Sequence, residues 1–313
     1  MQGNRPDLHA RLTEVIDELE RRFGPGVVYR LSQARPKLGA TTVSTGSLGI
    51  DLATGIGGMP RGHIASIDGP ETSGKTTLAY HVLARAQADG GLAALVAAAQ
   101  SADPAHLRAC GVDLRSLLLA EPLDAVEALA MAAILTHSAA LDAVVVSRPP
   151  RLPRPGLLAE AARRLNASIG GTPTALVMVG PIDFASLSIQ LTPLRLILRP
   201  GGDVGGLRGR ATVGKNRLAR PGGMAEVDVL EGVGVHRPAE LFDLGRSLGL
   251  IEELPLGFIC GAALLGKGRV RAVAGLERDP DLARRLEAAI RQAAAAAPAP
   301  APPRLLHEPA LTC

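Results

Sequence analysis

Eight consecutive residues, Gly69-Pro70-Glu71-Thr72-Ser73-Gly74-Lys75-Thr76, follow the pattern G-x-x-x-x-G-K-T, a spacing that serves phosphate chemistry. Glycine at each end lets the main chain approach a phosphate closely. The amides of Ser73 to Thr77 converge on it at the start of a helix whose dipole favours negative charge. Lys75 supplies a cation for the β- and γ-phosphates, and the Thr76 hydroxyl a ligand for Mg²⁺. The flanks agree. His63–Asp68 (HIASID) is a short apolar, β-branched run that reads as a buried strand, and Thr77–Ala88 has helical spacing. A strand feeding a glycine loop that opens a helix is the context in which this pattern works, so a chance glycine turn is the poorer explanation. The residues point to a nucleoside triphosphate with Mg²⁺.

Other chemistry is sparse. The seven histidines are scattered, and His63, His81 and His137 read as structural or surface residues. No Ser/His/Asp triad and no Cys/His metal spacing occurs. Cys110, Cys260 and Cys313 are odd in number and far apart, as expected of free thiols in a reducing cytoplasm. The start, MQGNRPDLHARL, is polar and unlike a signal peptide, and no uncharged apolar run reaches membrane-spanning length. A cytoplasmic protein with no membrane partner is expected. With no Trp, two Tyr and four Phe, the core must be aliphatic and any base-stacking surface improvised from His or Arg.

Net charge is only +4 in 313 residues, but its distribution is uneven. Between Arg148 and Arg220 there are twelve basic residues against three acids. Two readings stand side by side: a polyanion-binding surface, most simply for nucleic acid, or Arg-rich usage in a chain of GC-biased composition.

Elements must position the loop. Residues 7–23 form an amphipathic helix with Leu8, Leu12, Val15, Ile16, Leu19 and Phe23 on one face. From Thr41, strand-like runs (64–68, 92–98, 117–120, 143–147, 175–180, 194–198, 211–215, 225–230) alternate with helical ones (104–110, 125–138, 156–167), which implies a mostly parallel sheet with crossover helices. After Glu231 the pattern becomes a small α+β unit ending in an Arg-rich helix, 280–292. The Ala/Pro run 293–303 is low in complexity and expected to be disordered. The expected division is 1–40, helix and linker; 41–231, nucleotide-binding core; 232–292, small C-terminal domain; 293–313, tail.

Several stretches together resemble the bacterial RecA recombinase family. They are Glu20–Leu31 (ERRFGPGVVYRL), Ser44–Asp51 (STGSLGID), Gly57–Gly62 (GGMPRG), the GPETSGKTTL loop, Ala102–Pro104 with Gly111-Val112-Asp113, Val213–Arg217 (VGKNR), Ala239–Leu244 (AELFDL) and Leu250–Glu252. The similarity runs in unbroken order over roughly residues 8 to 290. It implies an α/β fold: a RecA-like P-loop NTPase core of mostly parallel sheet flanked by helices, an N-terminal helix that docks on a neighbour, and a small α+β C-terminal domain. It also implies ATP and Mg²⁺ as cofactors. Gly69, Pro70, Glu71, Thr72, Ser73, Gly74, Lys75, Thr76 and Thr77 would cradle the nucleotide, with Thr76 on the metal. Asp103 matches the residue that bonds the adenine edge, and His106 replaces an adenine-stacking tyrosine. Lys215 and Arg217 match cations that cross to a neighbour's γ-phosphate, the alternative being two solvated surface charges.

The departures fall on the hydrolytic parts. The family's catalytic glutamate aligns with Ala99, its acidic Mg²⁺-shell residue with Ser147, and its γ-phosphate-sensing Asn-Gln pair with Gly180-Pro181. Asp68, Glu71 and Asp103 lack the placement to substitute. The DNA-binding loops look short, at Pro149–Leu158 and Asp183–Thr192. The expectation is therefore an ATP-binding protein of DNA recombination, repair and damage response with weak or absent hydrolysis. Its partners would be single-stranded DNA, met by Arg148, Arg151, Arg154, Arg195 and Arg199, and itself or an active RecA. The alternatives are a non-catalytic accessory protein acting through partners such as a translesion polymerase, and an active recombinase with relocated acids.

Overall fold

The computed structural model describes residues 13–15, 17–18, 21–22, 42–147, 155–199 and 202–296. Contacts divide the chain into Met1–Thr41 and Thr42–Cys313. In the first part the described residues are helical, inside the helix expected over 7–23; the linker to residue 40 lies outside the described residues.

The second part is built on fourteen strands: β1 (Thr42–Val43), β2 (Met59–Pro60), β3 (His63–Asp68), β4 (Ala93–Val96), β5 (Leu117–Ala120), β6 (Ala143–Val146), β7 (Ala175–Val179), β8 (Leu187–Leu198), β9 (Val204–Asn216), β10 (Met224–Leu230), β11 (Gly234–Val235), β12 (Glu252–Leu254), β13 (Gly257–Cys260) and β14 (Ala263–Gly266). Its helices are α1 (Leu48–Ala53), α2 (Lys75–Ala88), α3 (Pro104–Ala109), α4 (Ala125–His137), α5 (Pro155–Ile169), α6 (Arg237–Ser247), α7 (Arg269–Arg278) and α8 (Pro280–Ala296). Nine strands form one sheet in the order β11-β10-β9-β8-β3-β7-β6-β4-β5. From β8 to β5 neighbours are parallel; β9, β10 and β11 extend the sheet antiparallel.

The parallel strands are continuous apolar runs because helices cover both faces. Alternate side chains enter opposite cores. Ile67, Val145 and Val177 join Leu78, Val82 and Leu83 of α2 on one side. Ile64, Val144 and Leu176 join Leu129 of α4 and Leu165 of α5 on the other. A third core, around Phe242, Phe258, Leu265 and Leu286, belongs to the small α+β region of α6–α8 and β12–β14, and it takes in Leu48 of α1.

Two expectations are corrected. The stretch 183–192, read as a DNA-binding loop, is loop only to Ser186. From Leu187 it is strand β8, with Leu187, Ile189 and Leu191 buried in alternation. The loop between β7 and β8 is seven residues, 180–186. Helix α8 runs to Ala296, past the expected end at Gln292 and into the segment read as disordered. Leu282, Leu286 and Ile290 recur every fourth residue on its buried face, and the alanines that follow extend it at no propensity cost. The tail from 297 lies outside the described residues.

Candidate nucleotide site

The loop joins β3 to α2. Gly69 has φ +152° and stands against the Leu191 carbonyl and the Ser73 hydroxyl, leaving no room for a side chain. Gly74 caps α2 in the left-handed region, φ +86°, with no capping side chain. The first intrahelical bond is Leu78 N–H to the Gly74 carbonyl, 2.9 Å, so the amides of Lys75, Thr76 and Thr77 have no helical partner. The Ser73 N–H, expected among the phosphate donors, instead donates to the Pro70 carbonyl at 3.3 Å. Thr72, a β-branched residue, is held at φ +60°, a strained conformation of the kind that gathers at functional sites. Lys75 Nζ donates to the Pro70 carbonyl, 2.8 Å.

One feature tests the fit of a phosphate chain. Ser73 is 3% exposed, and its Oγ has no hydrogen-bond partner. A buried hydroxyl without a partner, beside open amides and an ammonium, is satisfied by anionic oxygens. The residues fit the group. Thr76 is half-buried on the first turn of α2, placed to ligate Mg²⁺ beside phosphate oxygens and water. Among the described residues no three His, Cys, Asp or Glu side chains group to hold a metal on their own.

A cavity of about 440 Å³ is lined by Thr72–Thr77, by His106, and by Pro193, Leu196, Val204 and Leu207 of the β8–β9 ribbon. A second, about 430 Å³, shares Thr77, His106 and Val229 with it and adds Asp103, Ala105, Glu231, Gly232 and Gly234. They adjoin through these shared residues, and for a nucleotide the first would be the phosphate end and the second the base end. Asp103 Oδ1 caps α3 by accepting from the Ala105 N–H, 2.8 Å. His106 Nε2 lies 3.0 Å from Thr77 Oγ1, and its ring meets the edge of Tyr80 at 5.2 Å. Glu231–Gly234 were missed in the sequence; the signal available was the Glu-Gly-Val-Gly turn closing the run 225–230. This rim is fixed from behind. The Val235 N–H donates to His81 Nε2 at 2.8 Å, and burial pushes the His81 imidazole down to about 4.

The three degenerate positions share one edge. Val96, Val146, Met178 and Ser66 form a row across the sheet, so Ala99, Ser147 and Pro181 all follow strand ends beside the phosphate loop. None brings a carboxylate or amide. Glu71 is exposed and Asp68 half-buried at the end of β3.

Lys215 and Arg217 stand elsewhere. Ser186 N–H donates to the Ile64 carbonyl, and Arg217 N–H to the Ser186 carbonyl. Arg217 is therefore level with Ile64, four residues before Asp68 and two strands aside, so it cannot reach its own loop. Lys215 Nζ donates to the Asp183 carbonyl, 2.8 Å.

Of the expected DNA-binding residues, Arg148, Arg151 and Arg154 lie outside the described residues. Arg195 is exposed on β8 and has no ion pair among the described residues. Arg199, half-exposed, pairs with Glu231 at 3.2 Å. Three of the twelve basic residues, Arg199, Arg208 and Arg210, are met by acids from further along the chain. Arg210 meets Glu226, and Arg208 meets Glu226, Asp228 and Asp243, the last two shared with Arg269. These guanidinium groups hold the Asp243 carboxyl below its ordinary range despite its burial.

The comparisons agree with this geometry. The RecA N-terminal domain family matches residues 10–154. The RecA protein of Rhodopseudomonas palustris is 35% identical over 91% of this chain and 92% of its own length. That of Mesorhizobium japonicum is 36% identical over 91% of this chain and 88% of its own. Among solved structures, a RadB recombinase covers 62% of this chain and 98% of its own at a TM-score of 0.50 and 22% identity, a likeness of fold. With a phosphate loop on β3, a mostly parallel sheet and end-to-end similarity of this kind, the chain belongs to the RecA family.

Proposed function

We propose that this protein binds ATP·Mg²⁺ in DNA recombination and repair, engages single-stranded DNA, and hydrolyses the nucleotide weakly or not at all. One observation carries the reading: the phosphate loop is complete, down to the unpartnered Ser73 hydroxyl, while the edge beside it ends in Ala99, Ser147 and Pro181. Bound nucleotide brings a charge for the open amides of Lys75–Thr77 to hold. Turnover also needs a group that orients or deprotonates water, worth roughly 10²–10⁴ in rate, and Ala99, Ser147 and Pro181 supply no carboxylate. Lys215, held by the Asp183 carbonyl, and Arg217, level with Ile64 at the far end of β3, would serve the nucleotide of a second copy or of an active RecA. The protein is then a holder of nucleotide at a joint between protomers. The test is nucleotide binding by calorimetry beside phosphate release with and without single-stranded DNA. Tight binding with little release supports it; fast DNA-stimulated release abolished by Lys75→Ala overturns it.

A second reading is favoured by the seven-residue loop at 180–186 and by the internal pairing of Arg199, Arg208 and Arg210. Both reduce what is offered to DNA, and an accessory role through protein partners such as a translesion polymerase follows. Absence of salt-sensitive binding to single-stranded DNA, with a stable complex on RecA, favours that reading.

A further inference from the structure

Of the ten residues that line the second cavity, five come from one short segment: Val229, Leu230, Glu231, Gly232 and Gly234. The segment turns back at the edge of the large sheet. There β11 is two residues long and, among the described residues, pairs with β10 alone. Two residues are short for a strand and hold little on their own, so this wall needs a second support.

His81 supplies it. The residue lies on α2 one turn beyond Thr77, which lines both cavities, so the two side chains share a face of the helix. Its Nε2 accepts the Val235 N–H at 2.8 Å. A ring nitrogen that accepts carries no proton, so the imidazole is neutral with its proton on Nδ1. Two glycines make room for the ring. A Cβ on Gly46 would stand 2.8 Å from the His81 Cβ, and one on Gly234 would stand 2.2 Å from Nε2. Both have left-handed backbones, φ +83° and +86°, and they come from separate stretches, STGSLGID and the wall itself. The imidazole is wedged between two turns that leave no space for a side chain. Helix α2 thus carries open amides at its first turn and, further along, the bond that sets the wall.

We infer that His81 is a positioning residue for the nucleoside half of the ligand, holding the 229–235 wall where sugar and base must meet it. The inference rests on the reading of the two cavities as one nucleoside triphosphate site. His81 acts through the Val235 main chain and touches no ligand itself. A bare tripolyphosphate ends where the sugar begins and makes no demand on the wall.

The experiment is calorimetric titration of the full chain, His81→Leu and His81→Gln with ATP·Mg²⁺ and with tripolyphosphate·Mg²⁺. Leucine fills the space and accepts nothing, whereas glutamine reaches about as far as the imidazole with an acceptor oxygen. In His81→Leu, ATP affinity should fall about tenfold, because binding must then order the wall, while tripolyphosphate affinity stays as in the parent. His81→Gln should recover most of the loss. His81→Asn, polar but too short to reach Val235, should behave as the leucine variant and serves if that one folds poorly. Hydrogen exchange over 231–236 in the ligand-free chain should quicken in His81→Leu and not in His81→Gln. Equal losses for ATP and tripolyphosphate, or no loss for ATP, overturn the inference and leave the triphosphate reading standing. Glutamine no better than leucine, or exchange that leucine leaves unchanged, overturns the assignment to this hydrogen bond. Binding of neither ligand by the parent overturns both readings.

Discussion

His81 Nε2 accepts the Val235 amide at 2.8 Å, so the helix behind the phosphate loop holds the strand that follows the base-end rim. On the proposed reading, one imidazole registers the phosphate end to the base end. The bond requires the neutral ring, and burial keeps it neutral by moving its pKa from 6.5 to about 4. The folded state therefore binds fewer protons than the unfolded chain between these values. This stabilisation is full above pH 6.5 and is lost as pH falls toward 4. Urea midpoints should drop over that window in the parent and drop less in His81→Gln, which cannot titrate.

Lys75→Ala removes the one ammonium that lines the cavity among the described residues. Triphosphate affinity should fall roughly 10–100-fold, the size of a charge-assisted bond, with the melting temperature of the nucleotide-free protein unchanged. Equal affinities in parent and variant, by calorimetry, argue that the triphosphate sits elsewhere.

Restoring carboxylates tests the idle edge directly. Ala99→Glu with Ser147→Asp should raise phosphate release by tenfold or more over the parent, within the range of a positioned general base. Affinity should change little, since neither position lines the cavity. No gain in release sinks the claim that these positions limit turnover.

Two arginines of the basic segment should behave oppositely. Arg195→Glu should weaken single-stranded DNA binding and flatten its salt dependence by about one unit of slope, leaving stability as it was. Arg208→Ala removes one of the two guanidinium groups that meet Asp228, 4% exposed, and Asp243, and leaves Arg269 on both. It should cost about 1–3 kcal/mol in denaturant titrations.

Glu240 is 2% exposed and accepts from the amides of Leu48 and Gly49 at 2.9 Å and from the Ser47 hydroxyl. It closes the start of α1 from across the chain. Glu240→Ala should destabilise by about 2–4 kcal/mol, and Glu240→Gln by less, because the amide oxygen still accepts.

The phosphate loop was legible because its chemistry is contiguous: strand, glycines, lysine and helix lie within residues 63–88. Partners brought from afar were not. Glu231 reaches the base end only because three antiparallel strands fold back beside β8. The pairs of Arg199, Arg208 and Arg210 come from 226–243 and cancel a charge excess that looks open in sequence. Strand β8 was half hidden, since its inner residues Leu187, Ile189 and Leu191 alternate with polar ones in a stretch where the resemblance called for a loop. The motifs STGSLGID and AELFDL marked the family without revealing that Glu240 joins them.

Strand β9 carries Val204 and Gly206 in the wall of the cavity at one end and Lys215 at the other, with Arg217 just beyond. At about 3.3 Å per residue it measures off roughly 35 Å between them. On the proposed reading the strand is a ruler with two marks, one for the nucleotide a protomer would hold and one for the cations it would lend. Adding or removing a residue between the marks would leave each end well made and the two out of step. The length of β9 would then constrain assembly as much as any side chain it bears.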